Sequence, residues 1–366
     1  MIPLIKPDIN FSEVASDIKD VLESGMLTSG KFVREFEEKF AEYIGVKYAL
    51  TTTSATTALH MSLVARGISV GDEVLVSDFT FPASGNAIAQ CGATPVLVDC
   101  IPGRFDLDLD DARRKVSAKT KAIMVVHPFG QPVSSVELNA FSLETGLWVL
   151  EDAACAVTAT SNGTRCGAIG GAGCFSFHPR KILTTGEGGM ITTDNDELFE
   201  KLMVLRSHGG QKLDVGFEFI EHGFNYRMSE LQAVLGIAQL QKIQEIVAER
   251  KRISKIYMDM LAPMSAVSIP LSDDESACSF QSFVILLEQS IDRNAVIDRM
   301  RQMGIETMLG TYAMHAQPAF SKFGYRPGDL SESYFAQNQS LTLPLVKGMT
   351  EVDVEFVVSG LQSAIS

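Results

Sequence analysis

The sequence FSFHPRKILTTGEGGM at residues 175–190 is the stretch that decides the fold. Apolar residues at 174–177 predict a strand, and a loop that carries Lys181 follows it directly. The glycine-rich turn at 186–189 allows unusual backbone angles before the next apolar strand, at 190–193. The segment therefore predicts two strands joined by a loop that presents a lysine.

Lys181 offers an amine next to the end of a predicted strand. A lysine held in such a loop can form a Schiff base with an aldehyde cofactor. Taken alone, the segment favours an ordinary surface lysine, because the chain has 31 lysine and arginine residues. The rest of the chain is needed to separate these two interpretations.

Short apolar runs alternate with amphipathic stretches through the part of the chain before this segment. Strands alternating with helices predict a mostly parallel sheet that helices cover on both faces. The near-continuous apolar character of the strands agrees with burial on both faces. We therefore predict an α/β fold built on one seven-stranded sheet. The further predicted strands are 48–52, 73–76, 94–99, 122–126 and 147–150, and the predicted helices between them are 56–65, 83–90 and 136–145.

The C-terminal part of the chain has a different pattern. Apolar residues at helical spacing predict one long helix at 229–261, and Ser229 with Gln232 resembles a capping box at its start. We place the domain boundary within this helix, which gives a large domain of residues 1–245 and a smaller α+β domain of residues 246–366. The small domain is predicted to contain a strand at 280–286 and helices at 293–303 and 351–364.

Composition argues against several classes of function. The net charge of −14 makes an acidic surface that repels nucleic-acid phosphates, so no DNA or RNA partner is expected. No run approaches the ~18 apolar residues of a membrane span. Residues 1–6 lack the features of a signal peptide, so we expect a cytoplasmic protein without membrane contact. The six cysteines form no C-x-x-C pair, which predicts reduced thiols, with no disulfide framework and no metal site.

Polar residues close or follow most of the predicted strands. Ligand sites of open α/β sheets lie beyond the carboxyl ends of the strands, so we expect these side chains to share one cleft. They are Ser54, Asp78, Asp99, His127, Asp152, Ser176 and His178.

Three of the segments have chemistry that a flat phosphorylated cofactor needs. Buried Asp152 requires a partner such as the pyridinium nitrogen of pyridoxal phosphate (PLP), although a structural aspartate that caps a turn fits equally well. The segment TSATTALH at 53–60 leads from a strand into a helix, whose first N–H groups can bind phosphate or form a plain N-cap. Phe81 can stack on a flat ring or belong to the core.

Together these segments closely resemble the DegT/StrS-type sugar aminotransferases, a PLP-dependent family with the aspartate-aminotransferase fold (fold type I). Each matching segment is short, but their order and spacing along nearly the whole chain make the resemblance specific. The segments are LTSG at 27–30, SAT at 54–56, DFTF at 78–81, EDAA at 151–154, SFH at 176–178, GG at 188–189 and GFNYRM at 223–228.

The resemblance implies roles for the matched positions. Lys181 is similar to the lysine that holds PLP as a Schiff base and shuttles protons, with pyridoxamine phosphate (PMP) as the aminated intermediate. Asp152 matches the aspartate on the pyridine nitrogen, and Phe81 matches the aromatic residue stacked on the ring.

The resemblance also implies a phosphate site and a homodimer. Ala55, Thr56 and Ser176 match the phosphate-binding positions, and Ala55 stands where many members have glycine. Asn225 is similar to an asparagine that reaches the phosphate from the other subunit, which implies two shared active sites. Cys155 occupies the position beside the cofactor oxygen where many members carry Gln, His or Glu.

The implied activity is that of a transaminase in amino-sugar and polysaccharide biosynthesis. L-Glutamate is the expected donor, and the keto group of a nucleotide-linked deoxysugar is the expected acceptor. Ser29 and Gly30, which precede a predicted helix at 31–43, resemble substrate-binding residues, as do Tyr312 and His315. A packed interdomain loop explains each of these four residues equally well.

Three alternatives stay open. A PMP-dependent sugar dehydratase of the same fold would carry histidine in place of the lysine, whereas this chain has Lys181. A non-catalytic regulatory protein on this scaffold would not need Lys181 and Asp152. An aminotransferase acting on a non-sugar ketone, such as a cyclitol, would keep both residues.

Overall fold

The computed structural model describes residues 1–271 and 277–366, which form a large sheet covered by helices and a smaller sheet near the C-terminus. The helices are α1 (Phe11–Ser24), α2 (Lys31–Ile44), α3 (Ala55–Ala65), α4 (Ala83–Gln90), α5 (Leu109–Lys115), α6 (Ser135–Thr145), α7 (Asp196–Arg206), α8 (Glu230–Gln241), α9 (Ile243–Leu261), α10 (Arg293–Gln302), α11 (Ser331–Gln339) and α12 (Glu351–Ile365). The strands are β1 (Tyr48–Thr52), β2 (Glu73–Ser77), β3 (Thr94–Val98), β4 (Thr120–Val126), β5 (Trp148–Asp152), β6 (Thr160–Ser161), β7 (Thr164–Arg165), β8 (Ala172–Ser176), β9 (Gly189–Thr193), β10 (Gly210–Lys212), β11 (Phe217–Phe219), β12 (Val267–Ser268), β13 (Phe283–Leu287), β14 (Met308–Leu309) and β15 (Ser340–Leu343).

The large sheet has seven strands in the order β1-β9-β8-β5-β4-β2-β3. Only β9 runs against its neighbours, and the other pairings within this sheet are parallel. The predicted mostly parallel, seven-stranded α/β sheet is confirmed. Because β1, β2, β4, β5 and β8 point the same way, their carboxyl ends lie along one edge of the sheet.

Alternate residues of the central strands are buried on opposite faces. Val74, Val76 and Met124 pack in the core that contains α3 and α4. Leu75 and Ile123 pack in the core that contains α5 and α6. Burial on both faces explains why these strands are almost entirely apolar.

The prediction of a single long helix at 229–261 is wrong. The structure has α8 and α9, with non-helical backbone angles at Lys242 (φ −107°, ψ 12°). The apolar spacing continues across the break, so periodicity gave no sign of it. Because of the break, α8 packs in a core against the large sheet, while Tyr257 in α9 packs in a separate C-terminal core. The capping box of Ser229 and Gln232 is present.

The C-terminal core lies around the antiparallel sheet β12-β13-β15-β14, with α9, α10 and α12. Two segments cross the predicted boundary between the domains: Ile2 pairs with Ile305, and Met314 and Phe320 pack in the core of the large sheet. The division into residues 1–245 and 246–366 therefore stays a proposal. In the part of the chain that the structure describes, no helix is both long enough and apolar enough to span a membrane.

Candidate active site

Lys181 lies in the turn between β8 and β9. The ends of the turn are held together because Thr185 N donates to Phe177 O (3.0 Å) and Phe177 N donates to Gly188 O (2.9 Å). The Lys181 side chain is half-buried, and its Nζ donates a hydrogen bond to Cys155 Sγ at 3.0 Å. The turn thus directs the amine toward the residues that follow β5.

Asp152 is the last residue of β5, and its carboxylate is buried. Its Oδ2 accepts a hydrogen bond from Ser84 Oγ (2.7 Å), and its Oδ1 accepts one from Ala154 N (3.2 Å). Burial raises the pKa of Asp152, and these two hydrogen bonds lower it in part. No cationic group forms an ion pair with Asp152 among the described residues. A buried carboxylate with neutral partners fits a protonated ring nitrogen, which would supply the missing positive charge.

Ser84 is a site residue that the sequence interpretation missed. It lies in the first turn of α4, where its hydroxyl also lies 3.1 Å from Thr80 Oγ1. Thr80 and Ser84 lie four residues apart, on either side of a helix start. This spacing by itself is weak evidence for a functional site. The hydrogen bond that places Ser84 in the site is the one to Asp152, which is 68 positions away in the sequence.

The segment that follows β1 has the features of a phosphate site. Ser54 caps α3 with a capping box to Thr57, and Ala55 and Thr56 are the first two residues of the helix. No helical turn precedes them, so no helix carbonyl accepts a hydrogen bond from their N–H groups, and these groups can bind an anion. Ser176 ends β8, at the same edge of the sheet.

Phe81 lies after β2 with 66% of its surface exposed, so it is not a core residue. Its ring centroid is 6.5 Å from that of Tyr312. Each of these groups suits one part of PLP. The exposed aromatic ring suits the pyridine ring, the helix start suits the phosphate, the lysine amine suits the aldehyde, and the buried carboxylate suits the ring nitrogen. The residues present therefore fit this cofactor.

His315 does not lie where a substrate-binding residue is expected. Its ring is buried, Nδ1 donates to Asp78 Oδ2 (2.6 Å), and Nε2 accepts from Gly328 N (3.1 Å). With both ring nitrogens engaged, His315 is not available to a substrate in this arrangement. The interdomain packing role, left open from the sequence, is the one that the geometry favours. Burial raises the pKa of Asp78, and the bond to His315 lowers it in part.

Gly30 is buried where α2 meets Glu230. Three backbone N–H groups at the start of α2 donate to the Glu230 carboxylate, at 2.7–3.0 Å. A Cβ atom on Gly30 would lie 2.6 Å from Glu230 Oε2, so packing alone accounts for the glycine. Ser29 and Gly30 line a surface cavity of about 460 Å³ that includes none of Lys181, Asp152 and Tyr312.

The expectation that all strand-end polar residues share one cleft is wrong for three of them. Asp78 bonds His315, and Asp99 accepts hydrogen bonds from the start of α11 at Ser333. His127 Nε2 donates to Glu151 Oε2 at 2.9 Å, and both residues are fully buried. Each of these side chains holds the scaffold together behind the cleft.

Glu151, His127 and Cys166 bring three potential ligand atoms within 4.8 Å of one another. The two Glu151 oxygens already accept four hydrogen bonds, from His127 and from the N–H groups of three residues: Gly167, Ile169 and Gly170. The grouping is therefore explained as a hydrogen-bonded support for the strand that ends in Asp152.

Cys155 is expected to be the cysteine most reactive toward iodoacetamide. Four other cysteines are buried, and burial raises the pKa of the half-buried Cys91 to about 11, which suppresses its thiolate. We expect mass spectrometry to find the label on Cys155 first, and bound PLP to slow the reaction by covering the site. Cys155→Ser is the matched control. Faster labelling of Cys91, or no protection by PLP, would contradict this placement.

Comparison with known proteins agrees with this geometry. The model of the DegT/DnrJ/EryC1/StrS aminotransferase family matches residues 9–362. GDP-perosamine synthase from Caulobacter vibrioides is 39% identical over 341 residues, which cover 92% of this chain and 91% of the relative.

Two solved structures have the same fold. The PMP form of Spr1654 from Streptococcus pneumoniae superposes with a TM-score of 0.94 at 25% identity, covering 100% of this chain and 99% of the other. PseC from Helicobacter pylori, an aminotransferase of pseudoaminic acid biosynthesis, gives 0.93 at 26% identity, with coverage of 100% and 99%. The chain therefore belongs to the DegT/DnrJ/EryC1/StrS aminotransferase family, and its cofactor is pyridoxal phosphate.

Proposed function

We propose that this PLP-dependent aminotransferase moves an amino group from L-glutamate to the keto group of a nucleotide-linked deoxysugar. The observation that carries the proposal is the placement of the Lys181 amine near the buried carboxylate of Asp152, at one edge of the sheet. The similarity to a GDP-perosamine synthase supports a nucleotide-linked sugar as the acceptor.

In this proposal Lys181 binds the cofactor and then moves the proton. Bound PLP supplies an electron sink that stabilises negative charge on the carbon next to the transferred nitrogen. The freed Nζ of Lys181 takes the proton from one carbon and returns it to another, as general base and then general acid. Asp152 holds the proton on the ring nitrogen, and the hydrogen bond from Ser84 orients its carboxylate.

The remaining cleft residues bind and orient. Phe81 would cover one face of the ring, and the N–H groups of Ala55 and Thr56, together with Ser176, would bind the phosphate. The Cys155 thiol accepts a hydrogen bond from Lys181, and it would lie beside the oxygen of the bound cofactor.

Tyr312 is the residue that we propose for the sugar side of the cleft. Thr80 N donates to Tyr312 O (3.0 Å), which fixes this segment beside Phe81. Ser29 and Gly30 are proposed to reach the sugar nucleotide only in the assembled protein, because their cavity is separate from Lys181 in one chain.

A homodimer with shared active sites is part of the proposal. The hairpin of β10 and β11 leaves large apolar side chains exposed, and the chain continues from it to the exposed Asn225. An exposed apolar surface of this kind marks a protein interface, and we assign it to a second copy of this chain. The exposed residues are Leu213 (47%), Val215 (91%), Phe217 (60%), Phe219 (68%) and Ile220 (54%).

Mixing two inactive variants tests whether the sites are shared. Lys181→Ala and Asn225→Ala, unfolded and refolded together in equal amounts, should regain about a quarter of the wild-type activity, because half of the dimers then hold one intact site. Refolding either variant alone is the control. No recovery in the mixture would show that Asn225 does not act across an interface.

The reaction itself is tested by the release of 2-oxoglutarate. We expect L-glutamate to give stoichiometric 2-oxoglutarate with one or more members of a panel of nucleotide-linked keto sugars, and the aminated sugar to appear by mass spectrometry. Loss of a sugar hydroxyl without 2-oxoglutarate would favour a dehydratase, and turnover with cyclitol ketones alone would move the acceptor outside sugars. Failure to bind PLP would favour a non-catalytic regulatory protein.

A further inference from the structure

Gln281 connects the C-terminal part of the chain to the turn that carries Lys181. It lies just before β13, and the residue is 5% exposed. Its Nε2 donates to Arg180 O at 2.5 Å, and its Oε1 accepts from Ile182 N at 2.9 Å. One side-chain amide thus binds the backbone on both sides of Lys181.

Gln281 is itself held in place by a half-buried arginine, Arg250. Arg250 in α9 donates from Nη2 to Gln281 O (2.5 Å), from Nε to Phe280 O (2.7 Å) and from Nη1 to Leu345 O (3.2 Å). Phe280 has a positive φ of 49°, a conformation that a bulky residue adopts only where its surroundings impose it. The three hydrogen bonds from Arg250 therefore hold this strained backbone segment in the orientation that directs the Gln281 side chain toward the turn of Lys181.

Ser279, two residues before Gln281, extends this connection to the other side of the site. Ser279 Oγ donates to Cys155 O (3.3 Å), and Ser279 N donates to Gly130 O (2.9 Å). The two residues that meet at the lysine amine, Lys181 and Cys155, are thus positioned from the same short segment of the small domain.

We propose that Gln281 is a positioning residue that sets the direction of the Lys181 side chain through both flanking peptide groups. The proposal rests on the role of Lys181 proposed above. Gln281 touches no reacting atom, and its contribution comes from restricting the backbone rotations that would swing the amine away from the cofactor aldehyde. Misplacement of a reacting group by about 1 Å costs on the order of 10²-fold in rate, so a modest loosening of the turn has a measurable effect.

Gln281→Met tests the proposal, because methionine keeps the length and burial of the side chain but removes both hydrogen bonds. Gln339→Met is the matched control: Gln339 is 6% exposed, and its Nε2 donates to the backbone carbonyl of Glu288, away from Lys181. Two properties are measured beside stability: hydrogen exchange of the Ile182 amide in the holoenzyme, and the rate at which PLP added to the apoprotein becomes fixed to Lys181 by borohydride.

We expect Gln281→Met to speed exchange at Ile182 and to slow attachment of PLP, each by about tenfold, while Gln339→Met changes neither. Wild-type rates of both processes in Gln281→Met would overturn the proposal. If that variant does not fold, Gln281→Glu replaces it. It keeps the acceptor for Ile182 N but loses the donor to Arg180 O, so slower attachment supports the proposal and an unchanged rate overturns it.

The same experiment separates this proposal from the role of Lys181. Borohydride treatment of the wild-type holoenzyme should fix PLP to Lys181. If PLP is found on another residue, the proposed role of Lys181 fails, and with it the role of Gln281 in attachment. If PLP is on Lys181 and both rates are unchanged in the Gln281 variants, only the positioning role fails.

Discussion

Lys181→Ala is expected to abolish turnover, with a loss of about 10³-fold or more. The variant loses both the amine that holds the cofactor and the group that moves the proton. The side chain that the Lys181 Nζ contacts is the Cys155 thiol, which cannot replace the amine in either role. Steady-state release of 2-oxoglutarate measures the loss directly.

Arg180→Ala is the matched control for this change. Arg180 is the preceding residue, it is exposed, and only its backbone carbonyl takes part in the contact with Gln281. Its replacement should leave turnover close to the wild-type rate. Substantial turnover in Lys181→Ala would contradict the proposed mechanism, and an equal loss in Arg180→Ala would show that any change in the turn has this effect.

Asp152→Asn is expected to lower the rate of both half-reactions by about 10²-fold. Asparagine has nearly the same shape and can still accept the hydrogen bond from Ser84, but it cannot hold a proton on the ring nitrogen. Rapid mixing with L-glutamate, and separately with a keto sugar, measures the two half-reactions. A wild-type rate in either one would place the electron-sink role elsewhere.

Ser84→Ala gives a graded comparison for Asp152. It leaves the carboxylate but removes a hydrogen bond that stabilises its charged form, so the pKa of Asp152 should rise further. Since a group with a raised pKa is charged only at higher pH, the acidic limb of the rate profile should move to higher pH. The expected loss at neutral pH is about tenfold or less, below that of Asp152→Asn.

The large sheet could be predicted from the sequence because each strand is a short apolar run bounded by turn residues. The prediction at 48–52 coincides with β1, and the others differ from the observed strands by one or two residues at their ends. Helices α1, α5, α7 and α11 were missed. The first three begin with an Asn or Asp that caps the first turn (Asn10, Asp108 and Asn195), so a local signal was present, whereas α11 has no side-chain cap at Leu330.

The parts of the site that the sequence did not reveal depend on contacts between distant residues. Ser84 meets Asp152 across 68 positions, and Gln281 meets Arg180 across 101. The sequence left both a substrate contact and a packing role open for His315, and its contact with Asp78 likewise joins distant parts of the chain. Periodicity and short motifs do not describe contacts of this kind.

The central claim is that Lys181 holds PLP and that L-glutamate supplies the amino group. The most direct test is the visible absorption spectrum of the purified protein before and after addition of L-glutamate. We predict a yellow band that bleaches on addition and that is absent from Lys181→Ala. A colourless protein that PLP cannot reconstitute, or a yellow Lys181→Ala variant that bleaches like the wild type, would contradict the account.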